Sequence, residues 1–141
     1  MTNSDRSFLK LERLYMKEEI NFSLKQLRKA QDKLKEVLAM AENEIVRDAA
    51  IQRFEFTYEL LWKTLKIVLM EKEKLELRFP RDVFKAAFKA GLIDNDDVTV
   101  KMMEDRNLTS HVYNEKVVQT IFVRIKSLYA PCIEHILVKL K

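Results

Sequence analysis

Apolar residues recur along this chain at steps of three and four. Ile20, Leu24, Leu27, Leu34, Leu38, Ala41 and Ile45 follow an alternating four–three step, with Gln31 in the one polar slot. That period predicts a long first helix from about Glu18 to Ala41. A step near 3.5 suits shallow packing against an antiparallel neighbour or a second copy. Gln31 is expected at the seam edge, in water, or paired across a dimer axis. Phe8 to Met16 reads as a short extra helix, and residues 1–17 as a loosely attached N-terminal segment of a single domain spanning 1–141.

Ile51, Phe54, Tyr58, Leu61, Leu65 and Val68 form one stripe of a second helix, about Val46 to Lys74, widened by Trp62 and Leu69. A stripe that wide expects more than one neighbour. Pro80 suits a first helical turn and Gly91 a left-handed stop, so a short helix is expected between them. Asp94 reads as the N-cap of a fourth helix, about Asn95 to Thr109, with acidic residues in its first turn. Asn114 caps a last helix, about Glu115 to Leu140. Its broad apolar face contains Pro131, which removes one backbone bond and should kink it. The expected fold is all-α: an up-and-down four-helix bundle with additional short helices.

Composition agrees. Among 141 residues there is one glycine and there are two prolines, so turns are few and helices long. Cys132 is the only cysteine, which excludes an internal disulfide and leaves no zinc cluster. No metal and no cofactor are expected. The start lacks the apolar run of a signal peptide, and no stretch is long enough for a membrane span, so a cytoplasmic setting and no membrane partner are expected. The net charge of +4 is unevenly placed. Asp94, Asp96, Asp97, Glu104 and Asp105 cluster together, while Lys116, Arg124, Lys126, Lys139 and Lys141 dominate the last helix. That basic helix suits nucleic acid, an acidic partner or plain solvent.

The segment richest in chemistry is Glu104-Asp105-Arg106-Asn107-Leu108-Thr109-Ser110-His111-Val112-Tyr113. It joins a fixed cation, an amide, an imidazole and a phenol, groups that can hold a phosphate and move a proton. Positions five apart diverge by about 140° on a continuous helix. Arg106 and His111 therefore converge only if the helix ends near Thr109 or Ser110 and the chain turns back. A purely structural reading stays open. Arg106 can pair with Glu104, Asp105 or a neighbouring helix, His111 can serve as a C-terminal cation, and Tyr113 as a half-buried anchor. On the second helix, Asp48, Gln52, Glu55, Glu59 and Trp62 share a stripe that suits a ligand or partner, or a solvent face with a Glu59–Lys63 pair. His135, near Lys139, reads as a surface residue. No Gly-rich phosphate loop is present, so the chain is not expected to be a nucleotidyltransferase itself.

Three segments in register carry a resemblance. The first is Arg106-x4-His111-x-Tyr113, preceded by Glu104 and Asp105 and containing Asn107. The second runs Asp48-Ala49-Ala50-Ile51-Gln52-Arg53-Phe54-Glu55-Phe56-Thr57-Tyr58-Glu59-Leu60-Leu61-Trp62-Lys63. The third is Pro80-Arg81-Asp82-Val83-Phe84-Lys85-Ala86-Ala87-Phe88-Lys89-Ala90-Gly91-Leu92-Ile93. Together, over about residues 20–140, the chain resembles the nucleotidyltransferase substrate-binding protein family, a HepT-like branch of the HEPN superfamily. The resemblance implies a HEPN-like bundle that forms a homodimer and pairs with a minimal nucleotidyltransferase (MNT) as the subunit binding nucleotide or substrate, in a toxin–antitoxin-like complex. It also implies an alternative: a metal-independent endoribonuclease toxin. In that reading Arg106 holds the scissile phosphate of RNA, His111 is the general acid/base, Asn107 orients them, and Tyr113 is the hydroxyl that the MNT silences with AMP, flanked by Asp105 and Glu104. One departure is Phe79, where a capping Ser or Thr would suit the helix opened by Pro80.

Overall fold

Two long antiparallel helices set the frame of the molecule. The computed structural model describes residues 2–111 and 114–141. Helix α1 is Asn3–Leu38 and α2 is Glu44–Glu73. A Ser23–Thr64 side-chain hydrogen bond of 2.7 Å and an Arg53-to-Lys33 carbonyl bond of 2.6 Å fix their register. Helix α1 is continuous where the sequence suggested two pieces. A capping box between Thr2 and Asp5 starts it, and nothing from Phe8 to Ile20 breaks it.

Helix α3, Pro80–Lys89, opens without a side-chain cap at Phe79, so Pro80 alone supplies the start. Gly91 follows at φ +80°, the left-handed stop expected of it. Helix α4 is Asp96–Thr109, and its N-cap is Asn95, which accepts from the Val98 amide. Asp94 is not the cap. Its carboxylate instead binds His135 and Lys139 on the last helix, so His135, exposed at the surface as expected, also has a specific contact.

The last apolar stretch is divided into α5, Glu115–Arg124, a π turn, Ile125–Tyr129, and α6, Ala130–Lys139. Pro131 explains the π turn. Its ring has no N–H and crowds the carbonyl four residues back, so the backbone widens and the Ala130 amide bonds Ile125 instead. The effect places Tyr129 fully inside, stacked on Phe54 at 5.5 Å between ring centroids.

The core joins Leu27 and Leu34 of α1, Phe54, Leu61 and Leu65 of α2, Met102 of α4, and Ile121, Ile125 and Ile133 of the last segments. Helix α2 touches α1, α3, α4 and α5, the several neighbours its wide stripe predicts. Gln31 is fully buried, contrary to expectation. Its Nε2 donates to the Ala130 carbonyl at 2.8 Å, so it pairs neither with water nor across a dimer axis. The Leu27–Leu38 seam is taken up inside one molecule. The architecture is the expected all-α bundle, and among the described residues no helix is long and apolar enough to cross a membrane.

Candidate functional site

Helix α4 carries the polar motif, and its attachment to the bundle decides where each motif residue goes. Asp105 faces inward and is 2% exposed. It accepts from Arg124 at 3.0 and 3.1 Å and from the hydroxyl of Tyr129. Burial, then the adjacent carboxylate, pushes the Tyr129 phenol well above its ordinary range, so the hydroxyl stays a donor. Asp105, read with Glu104 as a modification or substrate-binding residue, is therefore an internal strut with its carboxylate turned into the bundle. Arg124 is likewise committed to this strut rather than to a free basic face.

One residue on, the helix turns Arg106 about 100° round, toward α2. Its Nη1 lies 3.2 Å from Glu55 and donates to Ser110 at 3.0 Å. Its Nε is buried and has no hydrogen-bond partner among the described residues. Glu104, Asn107 and His111 are exposed. Helix α4 ends at Thr109, Ser110 keeps a right-handed conformation and the His111 amide bonds back to Leu108 at 2.9 Å, so one tighter turn follows the helix; among the described residues the side-chain partners of Arg106 are Ser110 and Glu55, and His111 is not one of them. Tyr113 lies outside the described residues.

Arg106 lines an open groove of about 660 Å³ formed largely by α1 and α2. Lys29 and Lys33 on α1, and Arg53 and Phe56 on α2, form much of the rest, with Glu55 and Glu59 as its acidic groups. Four cations against two carboxylates leave the groove positive, with Phe56 as an exposed aromatic face within it. Such a lining suits a phosphate-bearing ligand. A smaller hollow of about 160 Å³ adjoins it, sharing Gln52 and Glu55 and reaching Asp48 and Thr109.

Of the α2 residues read as ligand or partner contacts, Gln52, Glu55 and Glu59 lie in the groove. Glu59 is also held locally, accepting from Trp62 Nε1 at 3.1 Å and lying 3.8 Å from Lys63, the pair foreseen as the alternative. Sequence reasoning missed Lys29 and Lys33. Their spacing of four on the polar side of α1 was a usable signal, but only packing shows that Arg53 and Arg106 stand across from them.

Comparisons with known proteins place the chain in a family and a fold. The family described as "Nucleotidyltransferase substrate binding protein like" matches residues 18–141. A Haemophilus influenzae protein described as "Probable ribonuclease HepT" is 31% identical over 80 residues, covering 54% of this chain and 55% of that protein, so the match spans about half of either. A crystal structure of a Thermus thermophilus protein superposes with a TM-score of 0.77 at 40% identity, over 82% of this chain and 98% of the other. A tri-AMPylated Shewanella oneidensis HEPN toxin, solved in complex with MNT antitoxin, superposes with a TM-score of 0.69 at 17% identity, over 86% and 97% of the chains; at that identity the likeness concerns the fold. The chain belongs to the nucleotidyltransferase substrate-binding protein family, and its bundle has the HEPN, HepT-like fold.

Proposed function

We propose that this protein is the helical subunit of a two-component system. It forms a homodimer, binds a nucleotide or substrate in the groove at Arg106, and docks a minimal nucleotidyltransferase of MNT type. The observation that carries the reading is a positive, open groove lined by a motif arginine whose buried Nε has no hydrogen-bond partner among the described residues, within a chain whose family is described by substrate binding for nucleotidyltransferases. The test is co-expression with an MNT-type enzyme followed by co-purification. A stable complex that Arg106→Ala leaves intact, but whose nucleotide binding that substitution weakens at least tenfold, is the expected result. A chain that never associates with such an enzyme counts against the reading.

A second reading is favoured by the same groove and by the HepT relative: an RNase toxin. RNA brings its own nucleophile. His111 takes the 2′-hydroxyl proton, the 2′ oxygen bonds to phosphorus, and the bond to the 5′ oxygen breaks as that oxygen gains a proton. Arg106 balances charge building on the phosphate, and Asn107 orients it. The products are a 2′,3′-cyclic phosphate and a 5′-hydroxyl. Silencing runs through Tyr113. Its oxygen attacks the α-phosphorus of ATP, pyrophosphate leaves with the electron pair of the broken bond, and the phenolic proton passes to solvent. The AMP then adds bulk and negative charge where an RNA phosphate must sit. RNA cleavage lost in both Arg106→Ala and His111→Ala, and a mass gain of one AMP on Tyr113, test this reading. Wild type and both variants equally inert and harmless to growth would sink it.

A further inference from the structure

Lys25, Lys29 and Lys33 stand four residues apart on the exposed side of α1. Each step of four advances about 40° round a helix, so the three form one slanting stripe about 12 Å long. Like charges at this spacing repel. The acids nearby do not relieve them. Arg28 takes Glu134 at 2.8 Å and Asp32 at 3.4 Å, and Lys35 lies 3.9 Å from Glu134. None of the three stripe lysines has an ion-pair partner among the described residues.

The stripe joins two hollows. Lys29 and Lys33 line the Arg106 groove and also a second hollow of about 500 Å³, which α1 forms with Leu137 and Lys141 at the far end of the last helix. Lys25 and Lys141 belong to the second hollow alone, and Arg53 and Arg106 to the first. With Arg28 and Asp32 paired to each other, the second hollow sets four lysines against Glu36. Leu24 and Leu137 supply its apolar wall. Two positive hollows thus lie on either flank of one helix and share the cations on the ridge between them.

We propose that a single strand of nucleic acid crosses α1, with one part in the Arg106 groove and another in the hollow at Lys25 and Lys141, its phosphates carried over the ridge by Lys29 and Lys33. The proposal rests on the reading of the Arg106 groove as a phosphate site; it adds the substrate class, a polynucleotide rather than a mononucleotide, and a second place of contact. A helix with its side chains is about 10 Å across, so a lone nucleotide occupies one flank only. A strand with a charge at every residue matches cations on both flanks and on the ridge. Phe56, 65% exposed within the groove, offers a face on which a base can stack, and the leucine wall suits the less polar parts of a nucleotide. An acidic peptide has no use for that aromatic face.

The experiment is fluorescence anisotropy on the full chain with labelled oligodeoxynucleotides of about three and about ten residues, lengths short of and within the usual range for a single-strand groove. They lack the 2′-hydroxyl and are not cut. The longer strand should bind at least tenfold more tightly than the shorter. Lys25→Ala/Lys141→Ala should weaken the longer strand at least fivefold and make its salt slope shallower by about 1.4, from roughly 0.7 per phosphate contact, while the shorter strand stays within about twofold. Both lysines are exposed, and circular dichroism should show unchanged helicity. Arg106→Ala should weaken both lengths. A longer strand that gains nothing over the shorter, or that binds the lysine variant as well as wild type, overturns the crossing strand even where Arg106→Ala weakens both lengths and the groove reading stands. If Arg106→Ala changes neither length, the groove reading fails and the crossing strand with it. Polyglutamate of matched charge that competes as well as the unlabelled longer strand overturns the assignment to nucleic acid.

Discussion

Glu55 on α2 holds the guanidinium of Arg106 on α4 at 3.2 Å, and both line the groove proposed to receive a phosphate. The carboxylate and an incoming phosphate compete for the same cation. Glu55 is a third exposed, so its hold is a partly screened ion pair, worth about 1 kcal/mol. Glu55→Gln should therefore tighten binding of a single-stranded oligonucleotide by roughly fivefold. Fluorescence anisotropy at fixed salt measures it. Weaker binding would mean that Glu55 is needed to keep Arg106 in place and does not compete with the ligand.

Lys29 and Lys33 face the groove from α1. If each neutralises one phosphate of a bound strand, Lys29→Ala/Lys33→Ala should lower affinity and make the slope of log K against log salt shallower by about 1.4, from roughly 0.7 per contact. A titration series across salt concentrations gives the slope. An unchanged slope with unchanged affinity would remove both lysines from the binding surface.

Asp105 joins α4 to the end of α5 through Arg124 and to the π turn through the Tyr129 hydroxyl. Asp105→Ala would leave that hydroxyl buried without its acceptor and Arg124, a third exposed, without its counter-charge. Removing one partner of a buried pair costs about 3–5 kcal/mol, and the partial exposure of Arg124 places this case near the lower end, about 3 kcal/mol. The urea midpoint should fall with the slope unchanged. A loss below about 1 kcal/mol would mean that the strut is not structural.

Asp94 fastens the turn before α4 to α6 through Lys139 and His135. The hydrogen bond from Lys139, then that from His135, lowers its carboxyl below the ordinary 3.8. A carboxylate depressed in the folded state binds protons more readily when unfolded. Its stabilisation is thus complete above the unfolded value and lost as pH falls through the lowered folded value. Wild type should lose stability from about pH 4 downward more steeply than Asp94→Asn, in which this component is already absent. Thermal melts from roughly pH 2.5 to about pH 6 would show the curves converging at the acid end. Parallel curves would mean that Asp94 contributes nothing linked to protonation.

The helices themselves were legible in the chain because their causes are local. Apolar steps of three and four mark α1 and α2, Asn114 caps α5 through its side chain, and Pro80 and Gly91 bound α3, while the cap of α4 is Asn95, one residue beyond the Asp94 that the sequence suggested. Arg106 was legible as chemistry because a fixed cation five residues before an imidazole on a polar helix end is a local pattern too. The destination of each side chain was not. Gln31 looks polar and solvent-bound in one dimension, yet the Ala130 carbonyl receives it inside the core. Asp105 and Arg106 are adjacent in sequence, but one becomes a buried strut and the other a groove cation, because successive positions on a helix point about 100° apart and only the neighbours say which direction is inside. Local sequence determined where the helices begin, end and turn their apolar faces. Tertiary packing alone decided which polar groups meet, since pairs such as Arg106 with Glu55 and Asp94 with His135 are brought together by the burial of other residues.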